Sequence, residues 1–161
     1  MAIRQRIMGE ASGTFHIDQD LGQLRTNTRP PVSWPCVLID FEDFRFENLG
    51  ENVQTAKGTV VFQLGFAPHS NSSQATPAPR VLQAMGYYQH ELTLHRILQG
   101  WSPTAMSGSL IRTSAITQKR NDHYRVRELR YSLEFEDYST KLQQGHTRAR
   151  LVLTDDIVLP V

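Results

Sequence analysis

Residues 36–46 read CVLIDFEDFRF and residues 59–66 read TVVFQLGF. In the first run Val37, Ile39 and Phe41 alternate with Leu38, Asp40 and Glu42, the period of a half-buried strand, and the apolar parity then moves to Phe44 and Phe46. In the second, Val60, Phe62, Leu64 and Phe66 alternate with Val61, Gln63 and Gly65. β-Branched and aromatic side chains dominate both runs, as pleated surfaces favour. A turn region at Asn48 to Gly50 separates them, so the two runs are expected to pair as an antiparallel hairpin.

Working outward toward the N-terminus, Trp34-Pro35 and Pro30-Pro31 punctuate a polar stretch that neither helix nor central strand tolerates. Before it, Ile3 and Ile7 lie four apart in AIRQRIMGEA (2–11), a short amphipathic helix that ends at Ser12-Gly13. Toward the C-terminus, residues 68–79 (PHSNSSQATPAP) read as a polar loop. A loop of that length is either tolerated surface or a projecting contact element, with His69, Ser70, Asn71 and Gln74 as candidates to meet a partner. Residues 80–99 follow as the main helix, with Val81, Met85, Tyr88 and Leu92 along one stripe, widened by Leu94, Ile97 and Leu98. Gly86 interrupts its first half, and Gly100 and Pro103 mark its end.

Two further strands are expected, at 109–117 (SLIRTSAIT) and 124–135. In the second, Tyr124 and Val126 share one parity while Leu129, Tyr131, Leu133 and Phe135 share the other, and a β-bulge near Arg127-Glu128 would reconcile them. The order is α-β-β-α-β-β: an α+β domain over residues 1–137, with helices on one face of a mostly antiparallel four-stranded sheet. Residues 138–161 form an extension whose Leu151, Leu153 and Ile157 are apolar enough to dock on the same chain or on a neighbour.

The whole chain has 161 residues, 39% hydrophobic and 20% charged, within the range of one folded domain. Seventeen basic residues against sixteen acidic ones leave a formal charge of +1, which predicts no nucleic-acid partner from the global field. The charges are nevertheless segregated. Asp40, Glu42, Asp43, Glu47 and Glu51 stand against Arg45 alone in residues 35–52, whereas Arg112, Lys119, Arg120, Arg125, Arg127, Arg130, Lys141, Arg148 and Arg150 fall in residues 108–150 against five acids. Two solvated faces would account for this. So would an acidic edge, Asp40, Glu42 and Asp43, that meets Arg125 and Arg127 of the next subunit in a head-to-tail ring. Cys36 is the only cysteine, so no intramolecular disulfide can form. No segment has the apolar length of a signal peptide or a membrane span, and cytosolic synthesis is the expectation.

The sequence holds no phosphate-cradling glycine loop and no nucleophile elbow. His90 and His95 are five apart on the main helix and diverge; Glu91 and His95 could share a face, with His123 arriving from a turn, short of the three or four ligands a metal needs. Asp18 with Asp20, and Asp155 with Asp156, are carboxylate pairs without a neighbouring nucleophile or base. Arg125 and Arg127 beside Tyr124 and Tyr131 resemble a cationic strand for nucleic acid, but the same aromatics fit the core alternation. No catalytic residue, cofactor or metal is expected.

Several stretches together resemble the tail terminator (tail-completion) proteins of tailed bacteriophages: DQDLGQL (18–24), PVSWPCVLIDF (31–41), QGWS (99–102) with Leu110-Ile111-Arg112-Thr113, and residues 122–137 closing on YSLEFED. These are packing and turn residues rather than a catalytic signature, spread over residues 2–137, and the tail from Tyr138 onward has no counterpart. The resemblance implies a non-enzymatic virion protein of the tail and neck, made in the cytoplasm of the bacterial host. It implies a ring, typically a hexamer, that caps the head-proximal end of the tail tube. Its partners would be other copies of itself, the tail tube protein and the head-tail connector or neck protein, with DNA only in passage through the lumen. A head-completion or connector adaptor, or the cap of a contractile injection tube, would be a related reading.

Overall fold

The computed structural model describes residues 2–25, 30–67, 86–120 and 124–141. Two helices and five strands follow in the order α1 (Ala2–Glu10), β1 (His16–Gln19), β2 (Cys36–Gly50), β3 (Val53–Phe66), α2 (Tyr87–Leu98), β4 (Ile111–Gln118) and β5 (Arg125–Asp137). The strands form one mixed sheet in the order β1-β2-β3-β5-β4. The expectation of four antiparallel strands is therefore corrected: β1 is a fifth strand, and it pairs with β2 in parallel, from His16 opposite Cys36 to Gln19 opposite Ile39. Its four residues, HIDQ, carry no apolar alternation and lie at the sheet edge, so no hydrophobic period could announce them.

β2 and β3 make the expected hairpin, about 45–50 Å long at the usual rise per residue. Its reversal falls at Glu51 and Asn52, both with positive φ (50° and 60°), slightly beyond the turn region read from the sequence. Two left-handed central residues match a tight turn whose twist suits the strands it joins. The parity change in β2 is a β-bulge: the register slips between Glu42 and Arg45, around Asp43 at φ 55°. This carries Phe44 onto the helix-bearing face, over Gly58, where an added Cβ would sit 2.5 Å from the Phe44 ring.

No bulge explains the parity change in β5, because its register against β3 runs unbroken from Phe66 opposite Arg125 to Gln54 opposite Asp137. The irregularity in the closing pair is instead in β4, between Arg112 and Ser114. Val126 and Leu129 are both fully buried because both sheet faces are covered at that end. On one face α1 and α2 bury Val37, Val60, Phe62, Leu64, Leu129 and Tyr131 with Ile3, Ile7, Leu94 and Leu98. On the other, the chain between β1 and β2 lays Leu24, Val32 and Trp34 over Cys36, Leu38 and Val126. Gly65 lies under this second layer, where a Cβ would meet Cys36 Sγ at 2.7 Å and the Trp34 ring at 2.9 Å. Trp34, which precedes a cis Pro35, stacks on Tyr124 at 5.1 Å.

The buried stripe of α2 differs from the one expected. Leu94, Ile97 and Leu98 are buried, with Tyr87 packed against the core, whereas Tyr88 and Leu92 are exposed. Stepping back by three and four from Leu94 reaches His90 and Glu91, so the inward face carries polar residues that a hydrophobic stripe skips. Gly86 is the N-cap of the described helix; Val81 and Met85 lie outside the described residues.

Candidate interaction surface

Glu91 and His95 on the inward face of α2 are answered from the sheet, and His90 packs against the rings of Phe15 and Phe66. Arg127 on β5 grips Glu91 with two hydrogen bonds, Nε to Oε2 at 2.7 Å and Nη2 to Oε1 at 2.9 Å, and donates a third from Nη1 to Thr117 Oγ1 at 2.8 Å. Arg112 on β4 adds a looser contact, 4.0 Å from the same carboxylate. The Glu91 hydrogen bond raises the Arg127 pKa, so this cation stays charged at any ordinary pH. One turn along the helix, His95 Nδ1 lies 3.1 Å from the Tyr131 hydroxyl. Burial pushes the Tyr131 phenol up to about 12, and burial, reinforced by Arg112, lowers His95. A protonated phenol donating to a neutral imidazole is the pairing these shifts favour. Arg125 lays its guanidinium 3.5 Å above the centre of the Tyr87 ring.

This network fastens a helix to a sheet. The only thiol, Cys36, is buried under Trp34 on the opposite face and pushed up to about 12 by that burial, far from a nucleophilic thiolate. Among the described residues no group of three or more His, Cys, Asp or Glu converges as a metal site. No helix among them is long and apolar enough to cross a membrane.

The residues expected at a subunit interface are thereby distributed. Arg125 and Arg127 are engaged with α2 of their own chain, and Glu42 pairs with Arg130 at 3.0 Å, itself bonded to Glu128 at 2.6 Å. Asp40 accepts a bond from the Phe41 amide at 2.8 Å, and Asp43 occupies the bulge. Asp40, Glu42 and Asp43 share strand β2, while within the same chain Arg125 and Arg127 engage α2. Leu151, Leu153 and Ile157 of the tail, and His69, Ser70, Asn71 and Gln74 of the loop, lie outside the described residues.

A different feature emerges beyond the end of α1. The sheet continues past the helices, and its helix-bearing face is left bare. Phe41, assigned to the core by alternation, is 52% exposed, and Phe46 further out on the same face is 54% exposed; Leu49, at a second register shift beside the turn, is 57% exposed. Phe44 links Phe41 and Phe135 into an aromatic row, with ring centroids 6.0 and 5.9 Å apart. A groove of about 620 Å³ opens here, floored by Ile39, Phe41, Leu133 and Phe135. The start of α1 (Ala2, Ile3, Arg4) forms one wall, and Pro103, Thr104 and Ser107 form another. The second wall is held to the sheet by the Gly108 amide bonding Glu134 O at 2.7 Å and the Glu136 amide bonding Met106 O at 3.0 Å. Asp18, Glu136 and Asp137 line the groove against the single cation Arg4. Its volume is that of a binding cleft.

Sequence reasoning passed over this groove because alternation reports which residues share a face, not how far a helix extends over that face. The one local signal is the density of charge after Phe41 (EDFRFEN), unusual for a strand covered along its whole length. No protein-family model matches the chain, and no curated protein is significantly similar to it.

Proposed function

We propose that this chain is a structural subunit that assembles with copies of itself into a ring, and that the ring caps the head-proximal end of a bacteriophage tail tube. The observation that carries the self-assembly part is the bare aromatic face of the hairpin, where Phe41 and Phe46 stand 52% and 54% exposed. Apolar rows of this kind mark surfaces that another protein covers. A projecting hairpin offers one half of the head-to-tail contact by which rings close. The tube-capping part follows from the stretches that resemble tail terminators, DQDLGQL, PVSWPCVLIDF, QGWS and YSLEFED. In that role the ring ends tube polymerisation and presents a surface to the connector, and DNA passes through without being read.

The test is the solution mass by light scattering, alone and with tail tube protein, for the native chain and for Phe46→Ser. A ring-sized species, or a monomer that forms rings on tube ends, is expected for the native chain, and loss of both for Phe46→Ser. A monomer indifferent to tube ends would remove the capping role. Reversal of Arg125 and Arg127 to Glu is a poor probe, because it breaks the Glu91 clamp and reports on folding.

A further inference from the structure

We propose that the groove beyond α1 receives the outward stripe of α2 from a second copy of the chain, with Tyr88 and Leu92 on the apolar floor and Arg96 at the acidic edge. The inference rests on the reading that a neighbouring subunit covers the bare face of the hairpin, and it names the surface which that subunit brings.

The groove asks for an occupant that is apolar along its middle and cationic at one end. Its floor is Ile39, Phe41, Leu133 and Phe135, and Asp18, Glu136 and Asp137 outnumber Arg4 among the charges around it. α2 carries such a surface on the side turned away from its own sheet. Leu94, Ile97 and Leu98 face the core, and Glu91 is gripped by Arg127. Tyr88, Leu92 and Arg96, spaced by four, therefore form an outer stripe about 12 Å long. Tyr88 is 50% exposed and Leu92 39% exposed. Arg96 is exposed and makes no ion pair with the described residues.

The one acid of the helix, Glu91, is turned inward, so the stripe brings a cation and no carboxylate to the acidic edge. Apolar anchors at i and i+4 on a helix laid into an apolar groove are a recurring mode of recognition. The exposed pair Ile111 and Ile116 of β4 lacks this complement, because Ile116 stands opposite Glu128 and would bring a carboxylate to an anionic groove.

The stripe has to come from another copy. The bonds from Glu91 to Arg127 and from His95 to Tyr131 hold α2 against its own sheet with Tyr88 and Leu92 outward. Groove and stripe are different surfaces, so each subunit gives one and receives one. That is a head-to-tail contact, the kind that closes rings.

Crosslinking between copies tests the assignment. Leu92→Cys and Thr104→Cys, both at exposed positions and the second on the groove wall, are made in separate full-length proteins. The two are mixed and oxidised, alone and with tail tube protein, with the buried Cys36 left in place. Covalent dimers holding one chain of each kind are expected. Dimers of either variant with itself would reveal a two-fold contact and overturn the proposal. Rings that form without mixed dimers would overturn this pairing and leave the ring standing. Absence of both would remove both. Mixed dimers that ignore tube ends would keep the pairing and remove only the capping role.

Charge reversal gives an independent reading. Arg96→Glu is expected to weaken self-association about tenfold by light scattering, and adding Glu136→Arg and Asp137→Arg in the same chain is expected to restore it. No loss in the first variant, or no recovery in the second, would overturn the placement of Arg96 at the acidic edge.

Discussion

The two ends of the β2–β3 hairpin are built from similar residues and meet opposite fates. At the base, Cys36 to Ile39 and Phe62 to Phe66 lie between two layers, helices on one side and the Leu24–Trp34 layer on the other, and every one of them is buried. At the distal end, Phe41, Phe46 and Leu49 stand half or more exposed. Composition does not separate the two ends, since aromatic and aliphatic residues occur in both. What separates them is how far α1, α2 and the β1–β2 connection extend along the sheet. The base holds the fold, and the distal end is free to hold something else.

Substitutions at the two ends should therefore differ in kind. The largest effect belongs to Phe62→Ala at the base, a fully buried ring packed edge-on to Tyr131 at 5.4 Å. Its loss should cost about 3–5 kcal/mol in denaturant unfolding. Phe46→Ser at the distal end should stay within about 0.5 kcal/mol of the native value in the same experiment. Equal losses would erase the distinction.

Next comes Glu91→Gln, which keeps the shape of the clamp and removes its charge. Arg127 is 17% exposed and cannot turn to water, so a loss of about 1.5–3 kcal/mol is expected in the same titration. A neutral result would mean that the pair is solvated in practice.

Gly65→Ala probes the second layer. The new methyl would press on Cys36 Sγ and Trp34, and about 1–3 kcal/mol should be lost unless the layer shifts outward. Trp34 fluorescence would report such a shift.

The smallest effect is a pH dependence. Burial holds His90 and His95 below the ordinary histidine value of 6.5. In the unfolded chain these rings take up protons near 6.5, in the folded chain only at lower pH. Their contribution is therefore complete above 6.5 and is lost as pH falls from there through the folded values. The thermal midpoint should decline over that window. His90→Phe should flatten part of the decline, since His90 packs between Phe15 and Phe66. An unchanged slope would show that carboxylates alone drive it.

Much of the fold was legible in the chain. Ile3 and Ile7 marked the first helix, Gly100 the end of the second, and the parity change at Phe44 a real bulge, because each is a signal carried by neighbours a few residues apart. The parity change at Val126 looked the same and had a different cause. One strand buried on both faces gives the same pattern as one that slips, and only the Leu24–Trp34 layer tells them apart. No hydrophobic stripe points to Glu91, because a carboxylate discounts a helix face, yet an arginine 36 residues away claims it.

The candidate site was less legible than the fold. Asp40, Glu42 and Asp43 lie on one strand, as read, and the structure adds contacts that no spacing announces, Arg127 with Glu91 and Arg125 with Tyr87 of α2. The groove needed α1, the loop at Pro103 and the end of β5 to meet, which no local pattern states.

By itself the sequence determined the identity of the regular elements other than β1, because helix and strand periods are written in consecutive side chains. It also determined the near-neutral charge. Only the tertiary structure decided which faces are covered, that β1 lies parallel to β2, and that the hairpin runs out past its helices into an open groove. Burial is a property of what other segments bring to a surface, and those segments arrive from far away in the chain.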